Sequence, residues 1–297
     1  MSATFYLFDV DHGQCAALLT PNGQWCIFDV GCTNTFSPVS WIAAKHGSLP
    51  LTQILGVTPS FRFLKGTISH LHGDHIADYQ NMLRYGPSTL FSVEPDQEYL
   101  EDCYATCSEE SSKRLVYGFA QHYAGLKVAN GVPDYGVVSI TELSLPVRVA
   151  RALGGDANTR VNNASIVTRV DVYGNSILLC GDMERSAWEA IINDTGDYGR
   201  IWRPFLSNID ILLAPHHGHK SGYSTALLNL AKPRVVLASV VAKDPHVDTR
   251  YSQSPVRGIR INGTGYSLIT TRKQGHIKVT ISPDGSRSWA FGSKALV

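Results

Sequence analysis

The chain has 297 residues, 43% hydrophobic and 17% charged, and its 26 Lys and Arg nearly balance 25 Asp and Glu. That length and apolar content describe a globular chain with a substantial core, and exclude disordered, collagen-like and coiled-coil architectures. A net charge of +1 gives no global attraction for polyanions, so any such partner has to be met by a local patch.

In chain order, Thr4–Val10, Cys15–Leu19 and Trp25–Val30 are rich in aromatic and aliphatic residues. Turn signals at Asp11-His12-Gly13 and Pro21-Asn22-Gly23 separate them, and the pattern predicts an antiparallel meander. Ser37 followed by Pro38 predicts the start of a short helix over Pro38–Lys45. Phe63–Ser69 reads as a strand that ends on a histidine cluster, and helical spacing of Ile76, Tyr79, Met82 and Leu83 follows over Ile76–Tyr85. Residues 95–135 are polar, then helical around Arg114–Leu126, and have the character of an insertion or lid. Further strands are expected at Val137–Leu145, Ser165–Val172, Ser176–Cys180, Ile209–Ala214, Val235–Val241, Tyr266–Thr271 and His276–Ile281, with helices at Glu184–Asn193 and Ser224–Leu230. No repeat or linker interrupts them, so one α/β domain over 1–297 is expected.

The longest apolar runs fall far below the roughly 20 residues that span a bilayer, so no membrane role is expected. The N-terminal MSATFYLFDV lacks the basic start of a secretion signal, and the six cysteines lack paired CxxC spacing. A cytoplasmic protein with reduced thiols is the expectation. Cys103 and Cys107, four residues apart, would be neighbours on a helix.

Chemistry concentrates in Ser69-His70-Leu71-His72-Gly73-Asp74-His75, which holds three of the eleven histidines. His70 and His72 are two apart, so in an extended segment they point the same way and can hold one cation together. Asp74 and His75 open the following helix and offer oxygen and nitrogen to a second cation. Clustered His and Asp of this kind mark metal sites. Asp182 closes a strand in Leu179-Cys180-Gly181-Asp182, where it serves a metal, caps the next helix, or both. The strand Ile209–Ala214 runs into Pro215-His216-His217-Gly218-His219. Adjacent side chains at a strand end point to opposite sides, so one of His216 and His217 is expected to bind metal and the other to bind phosphate or relay a proton.

HLHGDH, the later GD and PHHG together resemble the metallo-β-lactamase-fold hydrolases, and in particular the hydrolase domain of the competence-type DNA-uptake protein ComEC. That branch opens on segments like LDVGQGD and LIDVG, matched here by Phe8-Asp9-Val10-Asp11-His12-Gly13-Gln14 and Ile27-Phe28-Asp29-Val30-Gly31. Its later NNxSLVL, LLTGD and LKVPHHGS segments match Asn162–Val167, Leu178–Asp182 and Leu213–Gly218, so the resemblance runs from residue 4 to about 283. It implies an αββα sandwich, two mixed sheets flanked by helices. It also implies two divalent ions, zinc or manganese: His70 and His72 on the first, Asp74, His75 and His216 on the second, and Asp182 bridging. Two departures stand out. Asn162-Asn163 replaces the family's third histidine at the first ion, and Asp11-His12-Gly13-Gln14 replaces a GQGD-like turn, where His12 would either sit near the metals or be a solvated turn histidine.

The expected function is therefore a metal-dependent hydrolase, most directly a phosphodiesterase or nuclease that uses a metal-bound hydroxide. Two cations roughly 3.5–4 Å apart lower the pKa of a shared water from about 15.7 toward 7. Asp74 would orient the nucleophile, while His217 and His246, the latter in the late loop Lys243-Asp244-Pro245-His246, would serve the leaving group. Asn163, Lys220 and Lys243 are the expected substrate contacts. The cation-rich stretch 232–273, with Arg234, Arg250, Arg257, Arg260, Arg272 and Lys273, would face a nucleic acid or another phosphodiester. Two other readings compete: hydrolysis of a small phosphoester, thioester or lactam, and a regulatory module that works with a partner.

Overall fold

The computed structural model describes residues 1–45, 61–124, 133–241 and 247–297. The expected meander forms from β1 (Ala3–Leu7), β2 (Ala16–Leu19) and β3 (Trp25–Phe28), with Tyr6 opposite Ala17 and Leu18 opposite Cys26. β4 (Lys65–Ile68) and β5 (Thr89–Ser92) add to it in parallel. A second sheet begins with β6 (Ser139–Leu143), β7 (Val167–Val172) and β8 (Asn175–Leu179), paired antiparallel. β9 (Ile211–Leu213) and β10 (Val235–Ala238) continue it in parallel. A separate hairpin, β11 (Ile259–Ile261) and β12 (Thr264–Tyr266), leads into β13 (Leu268–Thr270) beside β10. β14 (Ile277–Ile281) and β15 (Arg287–Phe291) return to β1. The strand orders are β15-β14-β1-β2-β3-β4-β5 and β13-β10-β9-β8-β7-β6.

Period-two alternation sorts the side chains into layers. Phe5, Leu7, Leu18 and Phe28 of the first sheet meet Ile177, Leu179, Leu213 and Leu237 of the second in one core. Their strand neighbours Tyr6, Ala17, Ile27, Leu178, Leu212 and Val236 face outward, into a second core completed by helices. α1 (Pro38–Lys45) covers the first sheet, its Trp41 ring 5.7 Å from Tyr6. α2 (Gly73–Ile76) and α3 (Tyr79–Arg84) follow β4, and α4 (Gln97–Thr106) and α5 (Glu110–Ala124) follow β5. α6 (Val147–Ala152) and α7 (Ala157–Asn163) link β6 to β7. α8 (Arg185–Asn193), α9 (Asp197–Leu206) and α10 (Thr225–Ala231) contribute Trp188, Trp202 and Leu227 to the outer core, and α11 (Thr271–Gln274) follows β13. Each fully buried Leu, Ile or Phe contributes about 1.5–3 kcal/mol relative to exposure. The result is the expected αββα sandwich. A part-buried ion pair also joins the sheets: Lys65 Nζ of β4 lies 2.7 Å from Glu142 Oε2 of β6.

Several elements differ from the sequence pattern. The single helix expected over Ile76–Tyr85 is broken at Ala77-Asp78, where the Asp78 N–H donates to Val30 O (2.8 Å) instead of continuing the turn. α7 and α9 have no counterpart among the expected elements, because Asn and Thr dilute the first and Gly199 and Pro204 interrupt the second. The expected insertion is, in its described part, α4 and α5; residues 125–132 lie outside the described residues. Among the described residues, no helix is long and apolar enough to cross a membrane.

Candidate metal centre

The carboxyl end of β4 meets those of β8 and β9 at one end of the sandwich, and the loops that leave them carry the chemistry. Main-chain contacts lock these loops together: Ile166 N donates to Ser69 O (2.8 Å) and His216 N donates to Gly181 O (3.0 Å). Gly181 turns at φ 54°, where a Cβ would stand 2.8 Å from that of Ser165, and Ser165 Oγ accepts from Asp182 N at 3.1 Å. Gly13 and Gly31 let the first loops close on the histidine segment, since a Cβ on either would lie 2.7 Å from the Asp74 carbonyl oxygen. His216 and His217 both adopt left-handed backbone, φ 51° and 55°. Such conformations cost about 1–3 kcal/mol each and concentrate at functional sites.

Two triads result, and their ligand atoms lie within 4.8 Å of one another inside each: His70, His72 and Asp182, then Asp74, His75 and His217. In the first, His70 Nε2 is 3.0 Å from His72 Nδ1 and 3.9 Å from Asp182 Oδ2. In the second, His217 Nε2 is 3.2 Å from Asp74 Oδ2 and 3.3 Å from His75 Nε2. Asp182 stands between them, with Oδ1 3.3 Å from His75 Nε2 and Oδ2 3.6 Å from His217 Nε2. Both open on a cleft of about 610 Å³, also lined by Thr106, Cys107, Ser108 and Ser112 from the α4–α5 segment.

Asp29 organises this centre from behind. Buried and in left-handed backbone (φ 54°), it accepts from Ser69 N (2.7 Å), Ser69 Oγ (2.9 Å) and Gln14 Nε2 (2.9 Å). Its Oδ2 also lies 3.0 Å from His75 Nδ1, so that ring turns Nε2 toward the triad.

The electrostatics fit divalent ions. Burial holds His70 and His72 below the ordinary imidazole pKa, in the neutral form that metals require. Burial also opposes a proton on His75 and His217, but Asp182 and Asp74 outweigh it at both, with Asp29 adding at His75, and both pKa values rise. Asp74 and Asp182, which burial alone would push up, are instead held far below the carboxylate range by His75 and His217. The pocket therefore favours positive charge between its carboxylates, and His72 Nε2 is buried there without a hydrogen-bond partner. Four imidazoles and two carboxylates are a donor set for zinc or manganese.

The structure redistributes several expected roles. His217, not His216, joins the second triad; His216 stands half-buried at the rim, its Nδ1 2.7 Å from Ser221 Oγ and its Nε2 3.9 Å from Asp182 Oδ2. Asn163 does not line the cleft: its Oδ1 accepts from Glu184 N (3.0 Å) and its Nδ2 donates to Ser186 Oγ (3.1 Å) at the start of α8, where Glu184 and not Asp182 holds the N-cap position. Asn162 lines the cleft instead. Lys220 is exposed and does not line it, while Lys243 and His246 lie outside the described residues. Among the described residues, none of the 232–273 cations lines the cleft. Arg234 and Arg257, with Arg287, gather around Asp210 (2.7, 4.0 and 3.1 Å), before β9 and β10 and so at the end opposite the metal centre. Arg250 pairs with Asp248.

No family model matches this sequence. The chain is 25% identical over 285 residues to the uncharacterized protein YcaI of Escherichia coli, a match covering 95% of this chain and 30% of that protein. It is 26% identical over 254 residues to Recombination protein 2 of Haemophilus influenzae, covering 84% and 26%. The chain thus spans less than a third of the length of these curated relatives. Among solved structures, the metallo-β-lactamase-fold protein YhfI of Bacillus subtilis aligns with a TM-score of 0.41 and 12% identity, covering 81% of this chain and 87% of that one.

Proposed function

We propose that this chain is a metal-dependent hydrolase of phosphodiesters, a nuclease in its most direct form. One observation carries the reading: Asp182 stands between two His/Asp triads on the floor of a single open cleft. His70, His72 and Asp182 would hold one divalent ion, and Asp74, His75 and His217 the other, with Asp182 shared. When bound, such a pair supplies positive charge that polarises a phosphoryl oxygen and acidifies water. The chain's own groups do the rest. Asp74, whose carboxylate is 25% exposed, accepts a hydrogen bond from the attacking water and fixes its direction. His216, held through Nδ1 by Ser221, turns its other edge toward the leaving-group side. The hydroxyls of Thr106, Ser108 and Ser112 also line the cleft and meet the substrate's polar groups. The similarity to a protein named for recombination supports nucleic acid as the polymer.

A second reading, a small phosphoester as substrate, is favoured by the cleft itself: among the described residues, none of those lining it is a lysine or arginine. Metal analysis followed by incubation with single- and double-stranded DNA, RNA, bis-p-nitrophenyl phosphate and a chromogenic lactam separates these. Nucleic-acid cleavage abolished by His70→Ala supports the nuclease. Turnover of only the small diester supports the second reading, and turnover of only the lactam rejects both.

A further inference from the structure

His12 belongs to neither triad, yet its ring lies against that of His217, centroids 5.4 Å apart and planes inclined by 26°. It is exposed and lines the same cleft as Asp74, Asp182 and His217. Among the described residues it makes no hydrogen bond. The turn that carries it is nonetheless rigid. Asp11 is in left-handed backbone (φ 57°), Gly13 N donates to Val10 O (3.1 Å), and Ser239 Oγ donates to Gly13 O (2.7 Å). Gly13 presses so closely on the Asp74 carbonyl that no side chain fits, and Gln14 N donates to that same oxygen at 3.3 Å. An unsatisfied imidazole on a turn bolted to a candidate ligand loop is a pre-positioned hydrogen-bond donor.

Resting on the phosphodiesterase reading, we propose that His12 contacts the substrate: its ring N–H donates to a non-bridging phosphoryl oxygen beside the second triad. The cleft lining has no lysine or arginine among the described residues, so this donor replaces the cation that usually meets such an oxygen. A neutral imidazole suffices, because one nitrogen always carries hydrogen.

The test compares wild type, His12→Phe, which keeps a ring against His217, and His12→Asn, which keeps an N–H. All three are loaded with the same metal and measured for metal content, inorganic phosphate affinity and hydrolysis of bis-p-nitrophenyl phosphate. The expected result is unchanged metal content, phosphate binding about 10-fold weaker in His12→Phe, and kcat/KM lowered about 100-fold, with part of the loss in KM. His12→Asn should recover part of both losses. Wild-type phosphate affinity in His12→Phe overturns the proposal. So does loss of metal in that variant, which would make His12 a support for His217, and so does a His12→Asn no better than His12→Phe. If the wild type binds phosphate through His12 but hydrolyses no diester, the phosphodiesterase reading fails and the His12 contact stands. If the wild type binds no phosphate, the contact is overturned.

Discussion

The two ends of the second sheet are built on opposite terms. At the carboxyl ends of β8 and β9, charged and polar groups are buried, no Lys or Arg among the described residues lines the cleft beside them, and His216 and His217 stand on strained left-handed backbone. At the amino ends, Asp210 is ringed by Arg234, Arg257 and Arg287, which are 46%, 46% and 21% exposed. The first arrangement costs stability unless a cation completes it, whereas the second is complete as it stands. Charge density alone therefore points to the Asp210 end, whereas buried and strained groups point to the end where the two triads lie.

The sharpest way to break this contrast is at Asp182, the carboxylate between the triads. Asp182→Asn should lower activity by more than about 100-fold, beyond the range for residues that merely support ligands, with loss of metal by elemental analysis and an unchanged circular dichroism spectrum. Asp29→Asn comes next. It keeps a side chain that tolerates left-handed backbone but presents an N–H to His75 Nδ1, so metal affinity should fall about 10- to 100-fold in competition with a chromogenic chelator.

The opposite end should respond only in stability. Asp210 has its pKa lowered: burial works against the charge, but the Ser176 N–H and the Arg287 and Arg234 guanidiniums outweigh it. A lowered folded pKa stabilises above the unfolded value of about 3.9 and ceases to do so as pH falls below it. Asp210→Asn should therefore cost about 1 kcal/mol at pH 7, and the difference from wild type should close as denaturation midpoints are taken below about pH 4. Arg234→Gln should be smallest, less than about 1 kcal/mol and without effect on metal content or hydrolysis. A large loss of activity there would show that the two ends act together.

The sequence made part of this legible. His70, His72, Asp74 and His75 could be read because four possible ligands within six residues at a strand-to-helix junction have few structural uses, and most strands of both sheets, though not β5 or β15, show in the pattern. Asp29 lies in one of the segments that carry the resemblance, but its role was hidden, because its partners Ser69 and His75 are 40 and 46 positions away. The choice between His216 and His217 was equally out of reach. Alternation governs extended strands, and these two residues sit in consecutive left-handed conformations where it does not apply. That Asn162 and not Asn163 lines the cleft was hidden for a related reason. They end a helix, α7, made of weak helix formers, so the pattern hid both the helix and the face each residue takes.

The most direct test of the central claim is the metal stoichiometry of the purified protein, measured beside hydrolysis of bis-p-nitrophenyl phosphate before and after chelation. The account predicts two equivalents of zinc or manganese per chain, with activity lost on chelation and restored by the metal. Hydrolysis that continues undiminished in metal-free protein would contradict it.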